Sequence, residues 1–177
     1  PIPWKRIRAS SIGSLGDMAA VRLTRFERRY AAAFAALNYQ WIEAFFAVEE
    51  EDTAALEDPY GYAIATGGEI FFVLQDEVPI GTVAMVPFKG DTDTKGRAYE
   101  LAKMAVRPDF RGRGYSHLLM QACIEFARDK GAAEIVLITN DVMKPALGLY
   151  TASGFQPMPA NSDTRYSRGN LEMRLRL

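Results

Sequence analysis

The 177-residue chain has one cysteine, Cys123, and one histidine, His117. A single thiol cannot close an internal disulfide, and a single imidazole leaves no cluster with metal-ligand spacing, so metal-free chemistry in a reducing compartment is expected. Long apolar runs are also missing. No stretch reaches the roughly 18 to 20 residues of a membrane span, and the opening PIPWKRIRAS lacks the apolar core of a secretory signal. An excess of either charge is absent too: 21 basic against 22 acidic side chains leave a formal net charge of −1. That balance offers no global field to nucleic acid or to an anionic membrane surface. The expectation is a cytoplasmic protein with neither partner, in which any positive site is local.

Apolar residues make up 49% of the chain, enough for one core, and the length is short for two, so residues 1–177 read as one domain. IPWKRIRAS reads as a weakly alternating first strand. Residues 18–48 are rich in Ala, Arg, Glu and Leu and predict helix, divided in two by a break near Asn38. EEEDTAALEDP predicts a third, short helix capped by Asp52 or Thr53, with Pro59 beyond its end. Two apolar runs, 70–74 and 80–86, flank the polar QDEV as a hairpin, and a third strand follows in YELAKMAV. A helix, a strand in EIVLIT, a short helix opening near Pro145 and a last strand in NLEMRLRL complete the pattern. An antiparallel meander followed by alternating helices and strands predicts an α/β (α+β) fold: a mixed, mainly antiparallel sheet with helices on both faces.

The stretch RPDFRGRGYSHLLMQA concentrates glycine and arginine just ahead of an amphipathic helix. Tyr115, Leu118, Leu119, Ala122, Cys123, Phe126 and Ala127 form its apolar stripe, while His117, Gln121, Glu125 and Arg128 fall on the polar side. The first turn of a helix leaves backbone N–H groups without partners and carries about half a positive charge. Gly112 and Gly114 have no Cβ to hold an anion away from those groups, and Arg111 and Arg113 can add charged donors. The alternative is a surface turn with solvated arginines. Neither GxGxxG nor GxxxxGK[ST] occurs, so two common nucleotide patterns are excluded.

LAKMAVRPDFRGRGYSHLL resembles motif A of the GNAT acetyltransferase superfamily, in which [RQ]xxGx[GA] opens a helix. Here Arg111, Gly112, Arg113, Gly114, Tyr115 and Ser116 fill the pattern, with serine where glycine or alanine is usual. ITNDVMKPALGLYTASGF resembles motif B, with Asn140 after the strand and Tyr150 in the LYxxxGF ending. The resemblance covers roughly residues 99–155. It implies acetyl-CoA as acyl donor, bound in a V-shaped split between two parallel strands, 99–106 and 134–139. It further implies that backbone of Met104, Ala105 and Val106 binds the pantetheine arm and acetyl carbonyl. By the same carry-over, Arg111 to Ser116 hold the pyrophosphate, Asn140 contacts the cofactor arm and Tyr150 lies near the sulfur.

An alkyl amine with a pKa near 10.4 is almost wholly protonated at pH 7, and capturing its proton addresses a handicap of roughly 4 to 5 kcal/mol. Glu100 stands in an otherwise largely apolar strand and matches the position of the family's general base; the alternative is an exposed strand-end residue paired with Arg97 or Lys103. Tyr150 is the candidate acid for the departing thiolate, although it also falls in the helical stripe Ala146, Leu149, Tyr150, Ser153, where core packing would account for it. His117 reads as solvated, and Cys123 as a small buried hydrophobe.

Two hints about the acceptor disagree. Trp41, Phe45 and Phe46 near the carboxylates at 49–52 suit a cationic amine, or else pack in the core beside a solvated acidic helix start. Arg165, Tyr166 and Arg168 ahead of the last strand equally suit a carboxylate-bearing acceptor. The expectation is direct transfer to a small-molecule or peptide amine without a covalent acyl-enzyme. A non-catalytic acyl-CoA-binding module, a protein lysine or N-terminal acetyltransferase, and a homodimer stay open.

Overall fold

A computed structural model describes residues 20–90, 97–158 and 169–177. Alternation in VRLTR builds β1 (Val21–Arg25), followed by a 3-10 turn at Arg28–Tyr30, α1 (Ala31–Phe45), α2 (Glu50–Glu57) and a short helical segment at Tyr60–Ile64. Then come β2 (Glu69–Gln75), β3 (Val78–Pro87), β4 (Arg97–Val106), a 3-10 turn at Pro108–Phe110 and α3 (Tyr115–Asp129). The chain ends with β5 (Ala132–Thr139), α4 (Lys144–Ala152), β6 (Gln156–Pro157) and β7 (Leu171–Arg176). The strands form one sheet in the order β1-β2-β3-β4-β5-β7-β6. Its neighbours are antiparallel except β4 and β5, the mixed sheet that the sequence pattern predicts. Among the described residues no helix is long and apolar enough to cross a membrane.

Side chains alternate across a strand, so β2 feeds two cores. Phe71 and Val73 face α3, where Leu119, Cys123 and Phe126 meet Tyr99 and Leu101 of β4. Phe126 packs edge-on against Phe71 at 6.0 Å and Tyr99 at 5.1 Å between ring centroids. Ile70, Phe72 and Leu74 face the other way, beneath Phe34 and Ile42 of α1 and Leu56 of α2. Each such buried side chain contributes about 1.5–3 kcal/mol, and the sheet is thereby clamped from both sides.

Several predicted boundaries move. The strand expected in IPWKRIRAS lies outside the described residues. The helical reading of 18–48 is corrected at its start, where Val21–Arg25 is a strand paired with β2: its arginines resemble helix-formers in composition, but Val21 and Leu23 pack on the core at period two. One helix replaces the expected two. Asn38 does not break it, because the buried amide Nδ2 donates to the Phe34 carbonyl one turn back at 2.9 Å. The cap of α2 is Glu49 rather than Asp52 or Thr53, and Asp52 reaches back from the third helical position to accept the Glu49 N–H at 3.1 Å.

Two features of β4 create the site. Its pairing with β5 runs only from Arg97↔Ala132 to Glu100↔Val136, after which the strands part into the V-shaped split. Its pairing with β3 also slips: Thr82 faces Ala105 and Ala84 faces Ala102, so Lys103 and Met104 share one partner position in a bulge. Lys103 sits there at φ 55°, a left-handed conformation that costs a side-chain-bearing residue about 1–2 kcal/mol.

Candidate active site

In the amphipathic stripe of α3, Leu119, Ala122, Cys123, Phe126 and Ala127 are buried and Tyr115 and Leu118 half-buried, with His117, Gln121, Glu125 and Arg128 exposed. The helix therefore starts where the sequence placed it, and its tip opens on the split. Gly112 and Gly114 adopt φ 74° and 84°, which glycine takes without strain. A Cβ at either position would meet no atom within 4 Å, so the space over this turn is open. His117 and Leu118 N–H both donate to the Gly114 carbonyl, at 3.1 and 3.2 Å. The N–H groups of Gly112, Arg113, Gly114, Tyr115 and Ser116 have no acceptor among the described residues. Five successive unpartnered donors at a positive helix end suit a group rich in anionic oxygens, which is what a diphosphate presents.

The arginines divide. Arg111 lines the cavity and its Nε donates to the Val106 carbonyl at 3.3 Å. Arg113 folds back, donating to the Asp109 carbonyl at 3.2 Å with its guanidinium 5.0 Å from the Phe110 ring centre, and it is not part of the cavity wall.

From this tip a cavity of about 1040 Å³ runs along the split, walled by Met104, Ala105 and Val106 on one side and by Asn140 and Tyr150 on the other. Asn140 starts the turn into α4, its Oδ1 accepting the Val142 N–H at 3.0 Å. Glu100 borders the same cavity and is only 5% exposed, in the middle of β4 rather than at an exposed strand end.

Tyr150 is both wall and core. Its ring packs on Phe155, with centroids 6.0 Å apart, and its hydroxyl has no hydrogen-bond partner among the described residues. Burial, and secondarily the nearby Cys123, pushes the phenol up to about 12, so it is a protonated donor throughout the physiological range. Burial alone pushes the Cys123 thiol up, consistent with an inert hydrophobe.

The acceptor end holds residues that sequence reasoning weighed only partly. Trp41 and Phe46 cover the edge of the second core and also line the cavity, and Phe45 is 57% exposed at its mouth. Of the carboxylates beside them, Asp52 is not solvated. It is fully buried and accepts a hydrogen bond from Lys103 Nζ at 2.5 Å. No spacing signals this pair, whose members lie 51 residues apart. Arg165, Tyr166 and Arg168 lie outside the described residues. Among the described residues no group of His, Cys, Asp and Glu could hold a metal ion.

Comparison with known proteins gives a consistent picture. Residues 34–155 match the family model described as Acetyltransferase (GNAT) family. The human protein N-acetyltransferase 8B is 33% identical over 90 residues, an alignment that spans 50% of this chain but only 39% of that protein. In structure, an acetyltransferase of GNAT family from Staphylococcus aureus superposes with a TM-score of 0.77 over 89% of this chain and 99% of that one, at 17% identity. The yncA protein of Salmonella typhimurium, solved with its cofactor acetyl-CoA, superposes with a TM-score of 0.69 at 17% identity, over 89% of this chain and 94% of that one.

Proposed function

The chain belongs to the GNAT acetyltransferase family, and from that premise we propose that it moves the acetyl group of acetyl-CoA to a primary amine by direct attack in a ternary complex. The observation that carries this is the row of five unpartnered N–H groups, 112–116, opening on the same cavity as Glu100 and Tyr150. The residues fit the donor: the open turn at Gly112 and Gly114 leaves bare backbone for the diphosphate, with Arg111 beside it. Backbone of Met104, Ala105 and Val106, freed from β5 by the split, takes the pantetheine arm, and Asn140 borders it from the other strand. Arg113 joins the diphosphate by swinging out from Phe110.

The thioester supplies an acyl carbon open to an uncharged nitrogen. Glu100 takes the proton from the incoming ammonium, directly or through a water, which frees the nitrogen lone pair for attack. The backbone N–H groups at Met104–Val106 stabilise charge on the carbonyl oxygen as the N–C bond forms. Tyr150 gives its hydroxyl proton to the sulfur as the C–S bond breaks, and the phenolate is reprotonated from the acid that Glu100 has become. Two protons leave the nitrogen, one to Glu100 before attack and a second to water as the tetrahedral adduct collapses to the amide; one proton arrives on the thiol and one is released to solvent, so the enzyme is unchanged. The acceptor enters past Trp41, Phe45 and Phe46, whose faces suit a cationic amine on a small molecule or a peptide end. The reducing cytoplasm is the proposed setting.

Thiol release from acetyl-CoA with a panel of amines tests this directly. Turnover with at least one amine is expected. Tight CoA binding without turnover for any amine or peptide N-terminus would replace catalysis by a sensing role.

A further inference from the structure

We propose that Lys103 and Asp52 are positioning residues, an ion pair that locks the acceptor-side helices onto the bulge of β4 and so aims the backbone amides that follow it, at Met104 and Ala105. The inference deepens the transferase reading and rests on it.

The bulge explains how the pair is possible. Before it, Tyr99 and Leu101 face α3, and strict alternation would turn residue 103 the same way. The extra residue breaks the alternation: Lys103 turns toward α2, while Met104 and Val106 return to the face of Tyr99 and Leu101. Glycine is the residue that adopts φ 55° freely, yet lysine stands here. What lysine adds is its ammonium, with the side chain 4% exposed and bonded at 2.5 Å to a carboxylate that is 0% exposed.

Asp52 is fixed in turn. One of its oxygens accepts from Lys103 and the other accepts the Glu49 N–H, within the reciprocal cap that starts α2. Glu49 lies three residues beyond Phe46, so the cap also anchors the end of α1 that carries Trp41, Phe45 and Phe46. This buried bond thus joins the wall facing the amine to the strand facing the thioester. Burying two charges is a weak way to gain stability, since an apolar pair would hold α2 to β4 equally well. A charge-assisted bond adds direction, which fixes the bulge in one geometry.

The test uses the full chain with Asp52→Asn and Lys103→Gly, the second of which relieves the left-handed strain as it removes the ammonium. Two quantities are measured: the Kd for CoA, and the difference in 15N-amide shifts at Met104, Ala105 and Val106 between the CoA and acetyl-CoA complexes. Wild type should show an acetyl-specific difference at these amides. In both variants it should fall by more than about half, while the CoA Kd rises by less than about tenfold, because Met104–Val106 supply only part of the cofactor contacts and the tip of α3 is untouched. An undiminished acetyl-specific difference in either folded variant overturns the proposal. A CoA affinity that falls about tenfold or more also overturns it, since the pair would then serve the fold as a whole. A wild-type chain that binds no CoA would instead overturn the transferase reading, and this proposal with it.

Discussion

Replacing Tyr150 by phenylalanine removes one oxygen from a position where its chemical and structural roles separate. The hydroxyl has no partner among the described residues, and the ring contact with Phe155 survives the change, so folding stability should shift by less than about 1 kcal/mol. The chemical effect should be far larger. With the phenol pushed up to about 12 and a free thiol near 8.5, complete proton transfer to the departing sulfur is uphill by about 5 kcal/mol. A phenol at the usual value of about 10 would face only about 2 kcal/mol. Burial beside Tyr150 likewise raises the proton affinity of a thiolate formed there and narrows the gap. Donation must therefore accompany C–S cleavage rather than follow it. A positioned acid of this kind contributes about 10² to 10⁴ in rate, so kcat should fall by about 10² or more, roughly 3 kcal/mol. Thiol release at saturating amine, together with calorimetric titration of CoA, separates the effects. A kcat within about threefold of wild type, at full occupancy, would refute the acid role.

Other perturbations have equally definite outcomes. Glu100→Gln should lower kcat by about 10² or more at neutral pH and flatten its rise with pH, because no carboxylate remains to take the ammonium proton; an unaltered pH–rate profile would refute the assignment. Gly114→Ala forces a Cβ into φ 84°, at about 1–2 kcal/mol in stability, and should weaken CoA binding by about tenfold or more as the methyl enters the anion's space. Unchanged CoA affinity by calorimetry would count against the cradle. The buried Cys123 and Tyr150 both titrate higher in the folded chain than in the unfolded one, so the native state holds more protons above about pH 9. The contribution of these two groups should be constant below that pH and fall as pH rises toward 12, and Cys123→Ala should lose the earlier part of the fall in urea titrations. A slope identical to wild type would refute that origin.

The parts of this protein that were legible in its sequence are those where local chemistry and local structure coincide. Two glycines and two arginines directly ahead of a strong amphipathic stripe placed the tip of α3 within Arg111 to Ser116, because left-handed backbone and bare amides have a glycine signature. The bulge in β4 carries no such signature. Lysine occupies the left-handed position, and its partner Asp52 lies on another element. Composition misled at Val21–Arg25, where arginines suggested helix although alternation was present, and at Asn38, whose amide supports the helix it seemed to interrupt. Arg113 had the right charge for the site, but its rotamer is set by the Phe110 ring and the Asp109 carbonyl, which only folding brings together. The burial of Glu100 likewise arises from tertiary packing, since an acidic residue in an apolar strand reads equally well as a strand end.

The central claim is that bare amides at the start of α3 hold the diphosphate of a thioester donor. A crystal structure of the full chain with acetyl-CoA tests it most directly: diphosphate oxygens should lie within about 2.7–3.2 Å of N–H groups in the stretch from Gly112 to Ser116. A cofactor bound elsewhere, or a diphosphate in contact with solvent alone, would contradict it.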